Sequence, residues 1–233
     1  MLEIVKVQTM GKSDRDWLHS TFHFSFAEYY DPQNMQFGTL RVVNDDTFDP
    51  RGGFDSHFHE NMEIISYVVS GTLTHRDNMG NVRTVERGGL QYMSAGTGVL
   101  HSEFNHNDQP LRFLQIWILP DRQDVTPQYG DYVFSAEQRQ NRWHLLATSF
   151  QEQAPVQLHQ DMRISVAELD VGRTLVYPLA AERQAYLIQI EGDSNLDGYS
   201  LTEKDAAKII GQSFTLTARN PAHYILFDMP RPL

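Results

Sequence analysis

Apolar residues in this chain mostly occur in short runs that are separated by turn residues. In the segment YVVSGTLTHRDNMGNVRTVERGGLQYM the pattern predicts short strands around one hairpin loop, with strands at 67–69, 72–75, 82–85 and 90–93 and the loop at 77–81. The run LRFLQIWILP at 111–120 alternates less and predicts a strand buried on both faces. The best helical pattern, at 202–207, predicts only a turn or two. Many short strands at close spacing predict an all-β antiparallel sandwich or barrel.

The polar stretch DRQDVTPQYGDY at 121–132 predicts a boundary between two domains, 1–126 and 127–233. After it the strand pattern resumes. The stretch AYLIQIEGDSNLDG repeats the pattern of ISYVVSGTLTHRDNMG, an apolar strand followed by glycine and a turn. This similarity predicts an internal repeat of one β-barrel unit, with the candidate ligands only in the first copy.

Composition excludes several functional classes. Apolar residues make up 40% and charged residues 21% of the 233 positions, which is typical of a soluble globular protein. The net charge of −11 and the absence of a basic run argue against direct contact with nucleic acid. The chain has no cysteine, which excludes disulfides and thiolate metal sites. The N-terminus lacks the apolar core of a signal peptide and no apolar run could span a bilayer, so we expect a cytoplasmic protein.

Two pairs of metal-ligand residues have the spacing i, i+2: His57 with His59, and His101 with Glu103. Because alternate residues of a strand face the same side, each pair would direct both side chains one way. Two such strands side by side would bring three imidazoles and one carboxylate together. A mid-row divalent metal accepts this ligand set and keeps positions open for water or substrate. The alternative interpretation is that these are surface or hydrogen-bonded residues in ordinary strands.

Neighbouring residues allow further interpretations. Glu63 has the same strand parity as His57 and His59 if that strand is unbroken, so it is either a reserve base or a partner that orients a ligand imidazole. His75, beside Arg76 and Asp77, is expected on a solvated hairpin. The aromatic residues near positions 22–30 are expected in the core or lid of the barrel, or else at a pocket mouth: Phe22, Phe24, Phe26, Tyr29 and Tyr30.

The motifs around these residues resemble those of a known family. His57-x-His59, Glu63 and Gly71 resemble the first motif of the cupin superfamily. The second motif is resembled by Gly89, Gly96-Thr97-Gly98, His101 and Asn105. Glu103 departs from the general cupin pattern. This departure and the segments TFHFSFAEYYDP, RVVNDD, MSAGTGVLHSEFN and LQIWILP resemble the pirin family, closely so in the first half of the chain.

The resemblance implies a bicupin, with two jelly-roll-like antiparallel β-barrels packed face to face and metal only in the N-terminal barrel. By motif position, the family's four ligands match His57, His59, His101 and Glu103. The metal is usually iron, so the expected cofactor is one divalent ion, iron(II) first. Bacterial pirins resemble quercetinases, which open the flavonol ring with O2 and release carbon monoxide, whereas eukaryotic relatives are described as transcription cofactors.

The chemistry of the ligand set supports a hypothesis about function. Three neutral imidazoles and one carboxylate leave a divalent ion with a residual positive charge, which would acidify a bound flavonol hydroxyl. Glu103 could remain a ligand or act as general base, with Glu63 in reserve. Manganese, cobalt, nickel, copper and zinc also accept this set.

We therefore predict a dioxygenase that acts on a flavonol such as quercetin with O2. The alternative is a redox-responsive regulatory protein that docks onto a partner protein, and a purely structural metal site is the third hypothesis. A deep cavity at the metal would favour the enzyme, whereas an exposed surface of partner size would favour the regulator.

Overall fold

The computed structural model describes residues 1–149 and 153–232, and strands dominate it. In chain order, strands β1 to β12 are Leu2–Val5, Gly11–Arg15, Leu18–Phe22, Leu40–Phe48, Gly53–His59, Glu63–Ser70, Thr72–Asp77, Val82–Glu86, Leu90–Ser94, Val99–Phe104, Leu111–Ile118 and Gln128–Tyr132. Strands β13 to β22 are His144–Ser149, Val156–Leu158, Arg163–Leu169, Thr174–Tyr177, Arg183–Glu191, Ser194–Leu196, Tyr199–Leu201, Ala206–Ile210, Phe214–Ala218 and Ala222–Pro230.

The helices of the described part are short, a 3-10 turn at Val7–Thr9 and α1 at Ala136–Arg139. None of the helices found in residues 1–149 and 153–232 is long and apolar enough to cross a membrane. The all-β prediction is confirmed.

The chain divides into two compact units, which are described separately. The first unit is Gly11–Phe134, and the second combines Met1–Met10 with the chain from Ser135 onward. Relative to the predicted segments 1–126 and 127–233, strand pairing keeps β12 in the first unit because β12 pairs with β9. It also moves β1 into the second unit, because β1 pairs with β20.

The first unit consists of two antiparallel sheets. The larger sheet has the order β12-β9-β6-β11-β4-β3-β2, and the smaller one has the order β5-β10-β7-β8. Their facing side chains share one apolar core, in which Phe48 and Phe113 of the larger sheet meet Leu73 and Val85 of the smaller sheet. The predicted doubly buried strand is β11, which lies between β6 and β4 in the interior of the larger sheet. That position explains its nearly continuous apolar sequence.

The second unit repeats this architecture. Its larger sheet has the order β1-β20-β17-β22-β15-β13-β14 and its smaller sheet has the order β16-β21-β18-β19. Side chains of both sheets again form one core, which includes Leu187, Leu196, Leu216 and Leu226. The bicupin architecture and the internal repeat are therefore present as two similar two-sheet units.

The helical prediction at 202–207 is wrong. The Asp205 carboxylate accepts hydrogen bonds from the backbone N–H and the hydroxyl of Thr202, at 2.9 and 3.0 Å. A short aspartate side chain that bonds nearby backbone stabilises a turn in place of a helix. Strand β20 then begins at Ala206 and pairs with β1 and β17.

Candidate metal centre

Strands β5 and β10 lie side by side and carry the two predicted ligand pairs. Their antiparallel register places His57 opposite His101 and His59 opposite Val99. In β10, His101 and Glu103 are buried whereas Leu100 is exposed, as expected when alternate residues face the same side. The predicted adjacency of the two strands is confirmed.

The three imidazoles form one cluster. One ring nitrogen from each of His57, His59 and His101 lies within 4.8 Å of the others. The ring centroids are 4.5 Å apart for His57 and His101, 4.8 Å for the pair on β5, and 4.9 Å for His59 and His101. Imidazole nitrogens at this separation can be bridged by one divalent ion, and imidazole suits zinc, copper, iron and nickel.

The electrostatics of the cluster favour neutral rings. Burial, together with the neighbouring His57 and His75, lowers the pKa of His101 to about 3, while Asp77 opposes this shift. Burial also lowers the pKa of His59 to about 4, with contributions in the same direction from His101 and His57, while Glu103 opposes them. Metal binding requires the neutral form of imidazole, so both rings are ready to act as ligands near neutral pH.

The surroundings of the ring nitrogens indicate which nitrogen is the ligand on two of the rings, His57 and His101. The Nδ1 atom of His57 lies 2.7 Å from the carbonyl oxygen of Asp55. A carbonyl only accepts, so Nδ1 carries the proton and Nε2 keeps its lone pair. The Nε2 atom of His101 is buried without a hydrogen-bond partner within the described residues. A buried polar atom without a partner is costly, and a bound metal ion would remove that cost. The residues present therefore fit a metal ion.

Glu103 lies close enough to the cluster for its charge to act on His59. Its carboxylate is not part of the group of potential ligand atoms found among the described residues, which consists of nitrogens of the three histidines. His101 is paired with His57, but Glu103, two residues further along β10, is paired with Phe54, which is three residues away from His57 in β5. This extra residue is a bulge in β5. The buried carboxylate accepts hydrogen bonds from Ser66 Oγ at 2.6 Å, from Gln115 Nε2 at 2.6 Å, and from Gln91 Nε2.

Glu63 does not share a strand with the histidine pair. Strand β5 ends at His59 in the smaller sheet, and β6 begins at Glu63 in the larger sheet. The Glu63 carboxylate accepts hydrogen bonds from Tyr92 Oη and Ser94 Oγ, both at 2.6 Å. The condition for shared strand parity, an unbroken strand from His57 to Glu63, is not met, because the chain crosses from one sheet to the other between His59 and Glu63.

His75 does not lie on a solvated hairpin. Its side chain is 0% exposed, and its Nδ1 atom is 3.3 Å from Nδ1 of His101. In β7 the buried residues are Leu73 and His75, so this histidine belongs to the inward-facing set of its strand. The polar neighbours Arg76 and Asp77 suggested exposure, whereas the parity with Leu73 would have predicted the buried side.

A cavity of about 350 Å³ opens beside the cluster. Its wall contains two of the imidazoles together with four aromatic side chains, namely Trp17, Phe26, Phe54 and Trp117. Trp117 and His59 meet edge to face, with ring centroids 4.9 Å apart. Of the aromatic run predicted for the core or a pocket mouth, Phe26 lines the cavity, whereas Phe22 and Phe24 are buried and Tyr30 is exposed.

Two similar two-sheet units with a histidine cluster in one of them define this chain as a bicupin. Residues 5–118 match the family model Pirin, and residues 145–229 match the model of the quercetinase C-terminal cupin domain. The chain belongs to the pirin family, as its motifs predicted.

Several relatives are similar over their whole length. A pirin-like protein of Caulobacter vibrioides is 38% identical over 230 residues, which cover 98% of this chain and 99% of that protein. A quercetin 2,3-dioxygenase of Escherichia coli K12 is 36% identical over 232 residues, which cover 99% of each chain. The crystal structure of the bacterial pirin YhhW from Escherichia coli in complex with nickel(II) superimposes with a TM-score of 0.93, at 35% identity and with full coverage of both chains.

Proposed function

We propose that this protein is a metal-dependent dioxygenase that opens the ring of a flavonol such as quercetin with O2. The observation that carries the proposal is the aromatic cavity that ends at His57 and His59. Its volume of about 350 Å³ lies in the range of small-molecule sites. The relatives described as quercetin 2,3-dioxygenases support the type of reaction.

His57, His59 and His101 are the proposed metal ligands. Glu103 is proposed as the fourth because of its motif position and because its charge acts on His59. The buried Nε2 atom of His101 and the low pKa values of His59 and His101 support this assignment. When bound, a divalent ion would acidify the flavonol hydroxyl, and a redox-active ion would also supply redox chemistry. Iron(II) is the first candidate, and manganese, cobalt, nickel, copper or zinc are alternatives, of which zinc could only acidify the hydroxyl. Nickel is supported by the complex of the relative YhhW.

The protein's own residues would orient the substrate. Trp117 and Phe26 meet edge to face at 5.2 Å, and together they offer a flat ring an apolar wall beside His59. An aromatic wall of this kind binds planar rings and excludes water from the reacting face. In the proposed reaction both atoms of O2 enter the ring-opened product, and the carbon that carries the enolic hydroxyl leaves as carbon monoxide.

Glu103 is the proposed acceptor of the substrate's hydroxyl proton, besides its role as ligand. Its charge acts directly on His59, whereas Glu63 is hydrogen-bonded to Tyr92 and Ser94 in the larger sheet. A general base must lie within hydrogen-bond reach of the proton that it accepts. Proximity to the cluster therefore favours Glu103 over Glu63.

The test is aerobic consumption of quercetin by protein loaded separately with iron, manganese, cobalt, nickel and copper. We expect metal-dependent loss of quercetin with release of carbon monoxide. The variant His101→Ala should lose both stoichiometric metal and turnover, because it removes a buried ligand. The matched control is His106→Ala, which changes an exposed histidine outside the cluster and should retain both.

Two results would contradict the proposal. Full metal occupancy in His101→Ala would refute the ligand assignment. Full metal occupancy of the wild type without turnover of quercetin for any metal would refute the proposed dioxygenase activity and favour the regulatory alternative. A partner protein should then be sought.

A further inference from the structure

A line of buried polar side chains runs from the histidine cluster to the neighbouring strand β7. The Nδ1 atom of His101 lies 3.3 Å from Nδ1 of His75, and Nε2 of His75 lies 3.0 Å from Oδ2 of Asp77. The side chains of His75 and Asp77 are both 0% exposed. Strand β7 pairs with β10 on the side opposite to β5, in a register that places His101 opposite Asp77.

The donors and acceptors along this line can be assigned in sequence. The carboxylate of Asp77 only accepts, so Nε2 of His75 carries the proton. In its neutral form His75 then has one lone pair, on Nδ1, and this atom accepts from Nδ1–H of His101. The proton of His101 is thereby on Nδ1, and its lone pair is on Nε2, the buried atom that lacks a hydrogen-bond partner within the described residues.

The two outer residues are themselves held in place. Asp77 accepts hydrogen bonds from the backbone N–H groups of Met79 and Asn81, at 2.9 and 3.0 Å, and from the Asn81 side chain at 2.8 Å. Tyr129 stacks on the ring of His75, with centroids 4.4 Å apart and an interplanar angle of 21°. The turn after β7 therefore fixes the carboxylate, and the stacked ring fixes the orientation of His75.

We propose that His75 and Asp77 are positioning residues that hold His101 in the tautomer whose Nε2 lone pair faces the histidine cluster. The inference rests on the proposed metal centre, since it assigns a purpose to that lone pair. An acceptor on the second nitrogen of a ligand imidazole fixes its orientation and increases its basicity. Neither His75 nor Asp77 contacts the metal in this proposal.

The first experiment measures nickel(II) affinity by titration. Removal of such a partner typically lowers metal affinity by about 10- to 100-fold, and we expect this loss in His75→Leu. His75→Asn should recover most of the affinity, because its amide oxygen can occupy the position of Nδ1 and accept from His101. The control is His223→Leu, which changes a buried histidine of the second unit and should leave the affinity unchanged.

The second experiment reads the tautomer itself in the metal-free protein by ¹⁵N NMR of labelled histidines. We expect His101 Nε2 to be unprotonated in the wild type and in His75→Asn, and to become a mixture in His75→Leu. A protonated Nε2 in the wild type would overturn the inference, even if His75→Leu failed to fold. Unchanged affinity and an unchanged tautomer in folded His75→Leu would overturn it as well.

The two proposals can fail independently. If the wild type binds no metal, the proposed metal centre fails, while the NMR measurement still tests whether His75 fixes the tautomer. If the wild type binds nickel(II), and His75→Leu binds it equally well with an unchanged tautomer of His101, only the positioning role is refuted.

Discussion

Glu103 shows, at the scale of single residues, how a carboxylate is accommodated inside the first unit. Burial of a charge is costly unless hydrogen bonds compensate it. Its donors, Ser66, Gln91 and Gln115, come from three adjacent strands of the larger sheet, β6, β9 and β11, whereas Glu103 belongs to the smaller sheet. The hydrogen bonds to Glu103 explain why Ser66, Gln91 and Gln115 are polar although they are buried.

Glu103→Gln tests this account. An amide has one acceptor oxygen where the carboxylate has two. Its NH2 group would therefore face one of the three donors, and that donor would lose its acceptor. We expect the free energy of unfolding of the metal-free protein to fall by about 1–3 kcal/mol, the cost of a buried group without its hydrogen bond. Chemical denaturation measures this change. The control Glu60→Gln alters an exposed carboxylate, and equal denaturation midpoints for the two variants would contradict the account.

At the scale of elements, two glycines occupy equivalent positions in the two units, each directly after a central strand of the larger sheet. Gly71 follows β6 with φ +81°, and Gly192 follows β17 with φ +77°. A Cβ atom on Gly71 would lie 2.6 Å from the carbonyl oxygen of Pro110, and one on Gly192 would lie 2.2 Å from that of Pro221. Each glycine therefore lets a central strand end against the start of its neighbour, β11 or β22.

This correspondence shows how the two units differ at the position of one candidate ligand, Glu103. His75 and Leu196 both lie four positions after their glycine. His75 is paired with Glu103, and Leu196 is paired with Leu216. The polar pair of the first unit is thus replaced by two leucines that belong to the apolar core of the second unit. At this position the second unit therefore has apolar core packing where the first unit has the Glu103 carboxylate.

Gly71→Ala should destabilise the first unit more than Gly80→Ala does. Both glycines have positive φ, but a Cβ atom on Gly80 would meet nothing within 4 Å. In both variants alanine must adopt the left-handed backbone conformation, which is costly for a residue with a Cβ atom. Only Gly71→Ala adds a clash of that Cβ atom with the backbone. We expect about 1–3 kcal/mol of additional loss in unfolding free energy, the usual cost of overpacking. Thermal and denaturant unfolding of the two variants measure it, and equal losses would refute the proposed clash.

At the scale of the whole molecule, the half-buried His59 and the buried His101 make the stability of the metal-free protein depend on pH. The pKa values of His59 and His101 in the folded protein, about 4 and about 3, lie below their ordinary value of 6.5. Between these values the unfolded chain binds more protons than the folded one, so the unfolding free energy falls as the pH falls.

We expect a progressive loss of unfolding free energy when the metal-free protein is brought from about pH 7 to about pH 4, measured by denaturant titration at each pH. Burial raises the pKa values of Asp77 and Asp205, but hydrogen bonds outweigh it and lower them overall, so both residues add to the loss at still lower pH. His59→Ala should flatten the dependence, whereas His106→Ala should not. Equal slopes of unfolding free energy against pH in both variants would show that the His59 ring has no part in this dependence.

Much of this protein follows from the sequence alone, because strand alternation and motif spacing are local properties. The i, i+2 spacing of His57 with His59 predicts that both face one way, and the same holds for His101 with Glu103. The central strand β11 and the internal repeat are likewise evident in the pattern of apolar residues. Family membership follows from motifs that lie close together in the chain.

The tertiary structure decided what depends on pairing between distant segments. Glu63 is only four positions from His59, yet the chain changes sheets between them. His75 has polar neighbours in sequence, but the register of β7 with β10 places it behind His101. Glu103 is hydrogen-bonded by strands that the sequence does not connect to it. These contacts form only when two sheets close around a core, and no local pattern encodes which side chains then meet.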